Sequence, residues 1–160
     1  TPSLSSTTQY YVEAETSTPG ISYNLGPLNS SIGTGATHTD PTRYLTFDAA
    51  QPFLLKSVWV NAQGAGNRVI QLRDASDFVL ATTTVNVPNG MSRVTLNFSV
   101  PQGSNMRLGT GNTPNMYRNN GGVSYPYTVS NLATITGSSA GSAYYYYFYD
   151  WEIETSHVLA

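Results

Sequence analysis

Apolar and polar residues alternate with a period of two along most of this chain, and Gly, Pro and Asn residues separate the alternating segments. No segment of ten or more residues carries the i, i+3, i+4, i+7 apolar spacing of an amphipathic helix. A period of two places apolar side chains on one face of a strand and polar side chains on the other. The pattern therefore predicts an all-β fold, a two-sheet antiparallel β-sandwich of the jelly-roll type.

The clearest alternation covers residues 53–100, where three short turn signals separate four extended segments. One signal, Pro88-Asn89-Gly90, contains the Asn-Gly pair that favours tight hairpins because both residues tolerate positive φ. Successive hairpins predict a four-stranded antiparallel meander. In its last strand four apolar side chains share the buried face: Val94, Leu96, Phe98 and Val100.

The third strand of this meander has no single phase, because Phe78 and Leu80 compete with Val79, Ala81 and Val85. A β-bulge, which adds one residue to one strand, reconciles the two sets.

Shorter strands are expected elsewhere, at residues 10–15, 21–24 and 43–47. The Gly- and Asn-rich stretch 103–122 is expected to be a long functional loop. The closing segment 144–154 is expected to be one central strand. Its buried side carries Tyr145, Tyr147, Tyr149 and Trp151, and its other side carries Asp150, Glu152 and Glu154.

Composition narrows the function classes. The 160 residues include 0 Cys, which excludes disulfides, thiolate metal sites and catalytic thiols, and the length fits one domain. With 7 Lys+Arg against 9 Asp+Glu and no basic run, nucleic-acid binding is not expected. No apolar run is long enough for membrane insertion. A polar surface made mostly of uncharged residues favours an extracellular location.

The ends of the chain suggest a module taken from a larger multidomain protein. The first residues have neither the charged nor the apolar region of a signal peptide. We expect residues 1–9 to be a linker or the end of a preceding module, 10–154 to form the sandwich, and 155–160 to be a tail.

A candidate sugar site lies in residues 115–127, which contain three Tyr, three Asn and one Arg. Sugars present an apolar C–H face and a rim of hydroxyls, so their sites combine aromatic rings with amide and guanidinium groups. The candidate ligand-binding residues are Tyr117, Arg118, Asn119, Asn120, Tyr125 and Tyr127, with Trp59 as a second platform. Alternatively, Tyr125 and Tyr127 point into the core and the Asn-Asn-Gly-Gly sequence is only a turn.

A candidate cation site involves carboxylates near the two ends of the chain. Glu13 and Glu15 lie two residues apart on one expected strand, so both face the same side, and Asp150 joins them if the first and last strands pair. Hard oxygen ligands of this kind are what Ca²⁺ prefers. The alternative is that these carboxylates form a solvated strand face.

Catalysis is not expected. Neither His38 nor His157 belongs to a metal-ligand spacing, and no G-x-S-x-G elbow is present. A hydrolase would need a cleft containing two carboxylates.

Two short motifs carry a family resemblance. Tyr11-Val12-Glu13-Ala14-Glu15 and Tyr149-Asp150-Trp151-Glu152-Ile153 resemble the opening and closing strands of family-six-type carbohydrate-binding modules, which are galactose-binding-like β-sandwiches. The resemblance implies a structural calcium ion held by Glu13, Glu15 and Asp150. It also implies a sugar site at loops on one end of the sandwich or on a concave sheet face.

The resemblance thus leads to the expectation of a non-catalytic carbohydrate-binding module that targets a secreted or surface-attached bacterial protein to a polysaccharide. Residues 5–15 also resemble the closing strand of immunoglobulin-like repeats in large secreted proteins, which would place both glutamates in a linker. The alternative function is a structural or adhesive accessory domain without a small ligand.

Overall fold

The computed structural model describes residues 20–155, which contain thirteen β-strands and one short 3-10 helix, Ser30–Ile32. The strands are β1 Ser22–Leu25, β2 Gly35–His38, β3 Tyr44–Ala49, β4 Phe53–Ala62, β5 Gly66–Arg73, β6 Val79–Val87, β7 Gly90–Val100, β8 Gly103–Thr110, β9 Met116–Asn119, β10 Tyr127–Val129, β11 Ala133–Ser138, β12 Tyr145–Tyr146 and β13 Tyr149–Thr155. Within 20–155, no helix has the length and apolar character needed to cross a bilayer.

The strands form two antiparallel sheets that pack face to face. A seven-stranded sheet has the order β1-β13-β4-β9-β12, with β7 also paired to β4 and β2 also paired to β9. A six-stranded sheet has the order β10-β11-β3-β8-β5-β6. The structure therefore confirms the predicted all-β, two-sheet antiparallel sandwich.

Aromatic side chains of the closing segment fill the centre of the core. Trp151, Tyr145 and Tyr149 are almost completely buried, and the Phe47 ring of the opposite sheet meets Trp151 edge-to-face with 5.0 Å between the ring centroids. Buried polar atoms of these rings have partners: Trp151 Nε1 donates to the Phe148 carbonyl at 2.9 Å. The inward side chains predicted for this segment are confirmed.

This segment is nevertheless two strands rather than one. Tyr147 adopts φ 69°, in the left-handed region, and the chain changes direction between β12 and β13. Tyr147 and Phe148 form the break, and both are buried, so residues 145–149 are buried without interruption and without a continuous strand. The sequence pattern does not reveal such a break, because a buried strand and a buried bend are equally apolar.

The predicted four-stranded meander is wrong in its connections. Strand β4 pairs with β7, and β5 pairs with β6 in the opposite sheet, so the chain crosses between sheets twice. Each strand has one buried face, which fits either sheet, and the alternation therefore cannot specify the partner. Arg68 secures the first crossing: its guanidinium donates to the carbonyls of Gly64 at 2.9 Å and Pro114 at 2.5 Å.

Two finer predictions for this region are confirmed. The apolar face of β7 is buried and its alternate residues are exposed. Strand β6 carries the expected bulge, because Leu72 pairs with Ala81 and Arg73 with Val79, which leaves Leu80 as the extra residue.

The predicted long loop at 103–122 is wrong, because this stretch contains β8 and β9. A strand forms there although the stretch has few apolar residues, because Met106 and Leu108 are sufficient for the buried side of β8. Gly109 suits the close packing there, since a methyl group at this position would lie 3.0 Å from Tyr44 Cβ. Strand β2, Gly35–His38, is a further strand that is not among those expected from the sequence.

Buried tyrosines make the fold sensitive to alkali. Burial raises the pKa of Tyr125, Tyr145, Tyr147 and Tyr149 above the ordinary value of 10.0. Since the unfolded chain ionises first, stability is intact below about pH 10 and falls above it, by about 1.4 kcal/mol per pH unit for each group. We expect the tyrosinate absorbance of these four residues and the loss of the circular dichroism signal to appear together in an alkaline titration. Complete ionisation while the circular dichroism stays native would contradict this.

Candidate functional site

The structure divides the predicted sugar cluster between the two sheets. Tyr117, Arg118 and Asn119 lie on β9 of the seven-stranded sheet, whereas Tyr127 lies on β10 of the six-stranded sheet. The cluster therefore does not converge on one ligand.

Tyr125 and Tyr127 pack inward. Their ring centroids lie 6.1 and 5.8 Å from that of the buried Tyr145, and the Tyr125 hydroxyl donates to the Tyr144 carbonyl at 2.6 Å. The Tyr127 hydroxyl accepts a bond from the Ser124 amide at 2.9 Å. Both side chains are half-buried, as the alternative interpretation of the sequence expected.

Asn119 is fully buried and serves the fold. Its Nδ2 donates to the carbonyls of Ser30, Gly33 and Thr34 at 3.0 to 3.2 Å, and its Oδ1 accepts a bond from the Tyr149 hydroxyl at 2.6 Å. The side chain fastens the connection between β1 and β2 to the core. It is therefore not available to a ligand, which corrects its assignment from the sequence.

The other three residues of this cluster stay closer to the surface but do not share a face. Neighbouring side chains of a strand point to opposite sides. Arg118 lies with its Cζ 5.3 Å from the Tyr144 ring centroid, whereas the Tyr117 ring covers Gly35, where a methyl group would be 2.6 Å from Tyr117 Cε1. Asn120 is exposed, and its Oδ1 accepts a bond from the Thr34 hydroxyl at 2.8 Å.

Trp59 is placed differently. It alternates with the buried residues Val58 and Val60, so its side chain lies on the outer face of the seven-stranded sheet, where it is half-buried. Its direct neighbour across the β4–β7 pair is Arg93. We call the surface formed by Trp59, Asn61, Met91, Arg93 and Asp150 the Trp59 surface.

Arg93 is held rigidly beside this ring. Its Nη1 donates to Ser57 Oγ at 2.8 Å and to the Asp150 carbonyl at 3.1 Å, and its Nη2 lies 2.5 Å from Asp150 Oδ2. The guanidinium thus bridges β7, β4 and β13. An aromatic ring beside hydrogen-bonding groups of fixed position can accept a flat, polyhydroxylated ligand with little loss of side-chain freedom.

The other members of the surface extend it along β4 and β7. Asn61 is the cross-strand partner of Met91, and Asn61 Nδ2 donates to Ser30 Oγ at 3.2 Å. Half of the Met91 side chain is exposed, which widens the apolar area around the ring. The surface therefore combines apolar contact with amide and guanidinium groups.

Asp150, one of the predicted calcium ligands, is paired with the guanidinium of Arg93. One carboxylate oxygen is paired with Arg93, and the other accepts a bond from Asn24 Nδ2 at 3.0 Å. Glu13 and Glu15 lie outside the described residues, as does the strand expected at 10–15. From Gly20 to Thr155 no three His, Asp or Glu side chains converge. The Arg93 guanidinium beside Asp150 disfavours a second cation at this carboxylate. The calcium site of Glu13, Glu15 and Asp150 stays a prediction.

A separate cleft of about 530 Å³ lies on the six-stranded sheet. Its polar lining comes from Asp48, Gln102, Ser104, Thr128, Asn131 and Thr134. The sequence did not reveal it, because these residues belong to β3, β8, the turn before β8 and the β10–β11 hairpin, which only the fold brings together. The lining holds one carboxylate, that of Asp48, whose Oδ1 accepts a bond from the Asn105 amide at 2.9 Å. The two-carboxylate geometry of a hydrolase is not formed there.

The fold and these two surfaces define the chain as an all-β sandwich with an aromatic, hydrogen-bonding outer face. Comparisons with protein-family models, with curated proteins and with solved structures gave no match. The resemblance to family-six-type carbohydrate-binding modules therefore stays a prediction.

The role of Asn119 can be separated from that of its neighbour. We expect Asn119→Ala to lower the free energy of unfolding by about 2–4 kcal/mol, because several buried groups lose their partner. Asn120→Ala removes one exposed hydrogen bond and should cost less than about 1 kcal/mol. Urea unfolding of both variants measures the difference, and equal losses would contradict the structural role of Asn119.

Experiments can also show whether Arg93 or a calcium ion is the cation that balances the charge of Asp150. We expect Arg93→Gln to lower the free energy of unfolding by about 1–2 kcal/mol. Because Arg93 already neutralises Asp150, we expect a chelator to leave the melting temperature of the wild-type protein unchanged. A calcium ion bound only by the native state would stabilise it, so its removal would lower the melting temperature. A lower melting temperature in excess chelator would instead show that calcium stabilises the chain.

Proposed function

We propose that this chain is a non-catalytic carbohydrate-binding module that binds a glycan through the Trp59 surface. The observation that carries the proposal is the outward Trp59 ring beside Arg93, whose guanidinium is fixed by Asp150 and Ser57. The family resemblance of the terminal motifs supports the same class. Attachment to a larger extracellular protein, bacterial in origin, is part of this proposal and rests on the sequence.

The chemistry of the surface fits a sugar better than a charged or purely apolar ligand. A pyranose ring can lay its C–H face on an indole, and its hydroxyls can bond to guanidinium and amide groups at the rim. The positive charge of Arg93 is balanced by Asp150 at 2.5 Å, so the surface offers hydrogen bonds with little net charge. We therefore expect a neutral glycan as the ligand.

One observation favours the alternative, a structural or adhesive module. Phe78, Val79 and Leu80 expose large apolar side chains at the start of β6, which is an edge strand of the six-stranded sheet. Exposed apolar residues at a sheet edge are typical of protein contact sites. This function predicts association with a protein and no retention of any glycan.

A glycan array followed by affinity electrophoresis tests the proposed function. We expect Trp59→Ala to weaken binding of the retained neutral glycan about tenfold, because the stacking surface is lost. Phe78→Ala, which removes an exposed aromatic ring from the other sheet, serves as the matched control and should bind normally. Because Trp59 is half-buried, melting temperatures must show that both variants are folded.

Three outcomes would contradict the proposal. Retention of no glycan on the array would favour the adhesive alternative. Unchanged binding by a folded Trp59→Ala variant would move the site elsewhere. Release of reducing ends from the glycan would show that the chain is a hydrolase.

A further inference from the structure

Two arginines lie side by side on the outer face of the six-stranded sheet. Arg73 of β5 is the direct cross-strand partner of Arg107 of β8. Both alternate with buried residues, and 16% and 24% of their side chains are exposed. Like charges in directly opposed positions repel each other, so this pair needs a negative partner.

In this structure the partner is Asp77. Its Oδ1 lies 3.2 Å from Arg107 Nη1 and 3.7 Å from Arg73 Nη1, and 57% of the side chain is exposed. The nearby Asp74 carboxylate is committed to the turn, where its Oδ1 accepts bonds from the amides of Ser76 and Phe78. A single exposed carboxylate thus pairs with two guanidinium groups.

The two guanidinium groups have more N–H donors than the surrounding residues have acceptors for them. Each carries five N–H groups in a planar fork that suits a carboxylate. Arg107 Nη2 donates to the Ala75 carbonyl at 3.3 Å, but in the described part of the chain its solvent-shielded Nε has no hydrogen-bond partner. Arg73 Nη2 donates to Gln71 Oε1 and to the Thr110 carbonyl at 3.3 Å. Because Arg107 Nε is shielded from solvent, a second or better-placed carboxylate would have to use the remaining N–H groups on Nη1 and Nη2.

The residues around the arginine pair favour a ligand whose carboxylate belongs to a sugar. The Arg107 guanidinium lies 4.8 Å from the Tyr44 ring centroid, and Thr46 faces Arg107 across the β3–β8 pair. The Thr46 and Thr136 hydroxyls lie 3.2 Å apart, and two residues further along the same face of β3 Asp48 begins the polar cleft. An aromatic ring, a row of hydroxyls and a polar cleft follow one another beside the arginine pair.

We propose that Arg73 and Arg107 bind the carboxylate of a uronic acid residue in an acidic polysaccharide, with the neighbouring sugar in the Asp48 cleft. The ligand carboxylate displaces the Asp77 side chain, which occupies the pair in the free protein. This site lies on the sheet opposite the Trp59 surface and does not depend on it.

The key variant is Asp77→Asn. Asp77 has φ 67°, a left-handed conformation that Asn adopts as readily, so the turn is kept while the competing charge is removed. In affinity gels that contain polygalacturonate, we expect this variant to bind about fivefold more tightly than the wild type, the factor of one exposed ion pair. Glu154→Gln makes the same change in net charge on the other sheet and should bind like the wild type.

Loss of binding is tested on the arginines. We expect Arg107→Gln and Arg73→Gln each to weaken retention about tenfold or more, since each removes one charged hydrogen-bonding partner of the ligand. Melting temperatures confirm folding, and Asp77→Gly replaces Asp77→Asn if the latter is unstable, because glycine also accepts positive φ. Trp59→Ala should leave retention on polygalacturonate unchanged, which separates this site from the proposed neutral-glycan site.

Three results would overturn the proposal. The first is that polygalacturonate retains neither the wild type nor a folded Asp77→Asn variant. The second is that fully methyl-esterified polygalacturonate retains the protein as strongly as polygalacturonate does. The third is that polyglutamate retains it as strongly as polygalacturonate does. The methyl ester keeps the sugar rings without the charge, and polyglutamate keeps the charge without the rings. Retention that needs both confirms a uronate site.

Discussion

Burial of the closing aromatic segment between the two sheets is the constraint on which the rest of the structure depends. Trp151 and Tyr145 contact aromatic rings of the six-stranded sheet, and Tyr149 packs against Tyr145. Together with their neighbours they fill the centre of the core. Large aromatic side chains contribute much of the apolar area that a domain without disulfides must bury. Their polar atoms are bonded internally, which is why so many tyrosines can lie inside.

Asn119 extends this core to the periphery. The Tyr149 hydroxyl bonds to Asn119, which in turn bonds to three carbonyls of the β1–β2 connection. Close backbone contacts complete this region: a methyl group at Gly122 would lie 1.9 Å from the Ile32 carbonyl oxygen, and Gly122 has φ 72°. A chain of contacts thus leads from the core to the surface loops, and it explains why Asn119, which the sequence suggested as a ligand-binding residue, is structural.

The same scaffold presents two outer faces with different electrostatics. On the seven-stranded sheet, Arg93 and Asp150 form a matched pair next to Trp59. On the six-stranded sheet, Arg73 and Arg107 share the single carboxylate of Asp77. In both places arginine side chains cross between strands, so each outer face is shaped by a few ion pairs among otherwise uncharged residues.

The sequence by itself determined the β class, the buried face of β7, the bulge in β6 and the inward side of the closing segment. These features follow from local alternation, because a period of two puts the apolar side chains on the face of the strand that is buried. Trp59 alternates with Val58 and Val60, so the same local pattern is sufficient to place it on an outer face. Which strands pair, and therefore which polar residues meet, is not contained in that pattern, since a half-buried strand fits either sheet.

Only the tertiary structure decided the rest. It buried Asn119, separated Tyr117 from Arg118 and Tyr127, and brought Arg93 to Asp150 across three strands. It also placed Arg73 beside Arg107, thirty-four positions apart in a chain without any basic run. Such juxtapositions arise from long-range pairing, for which neighbouring residues carry no signal.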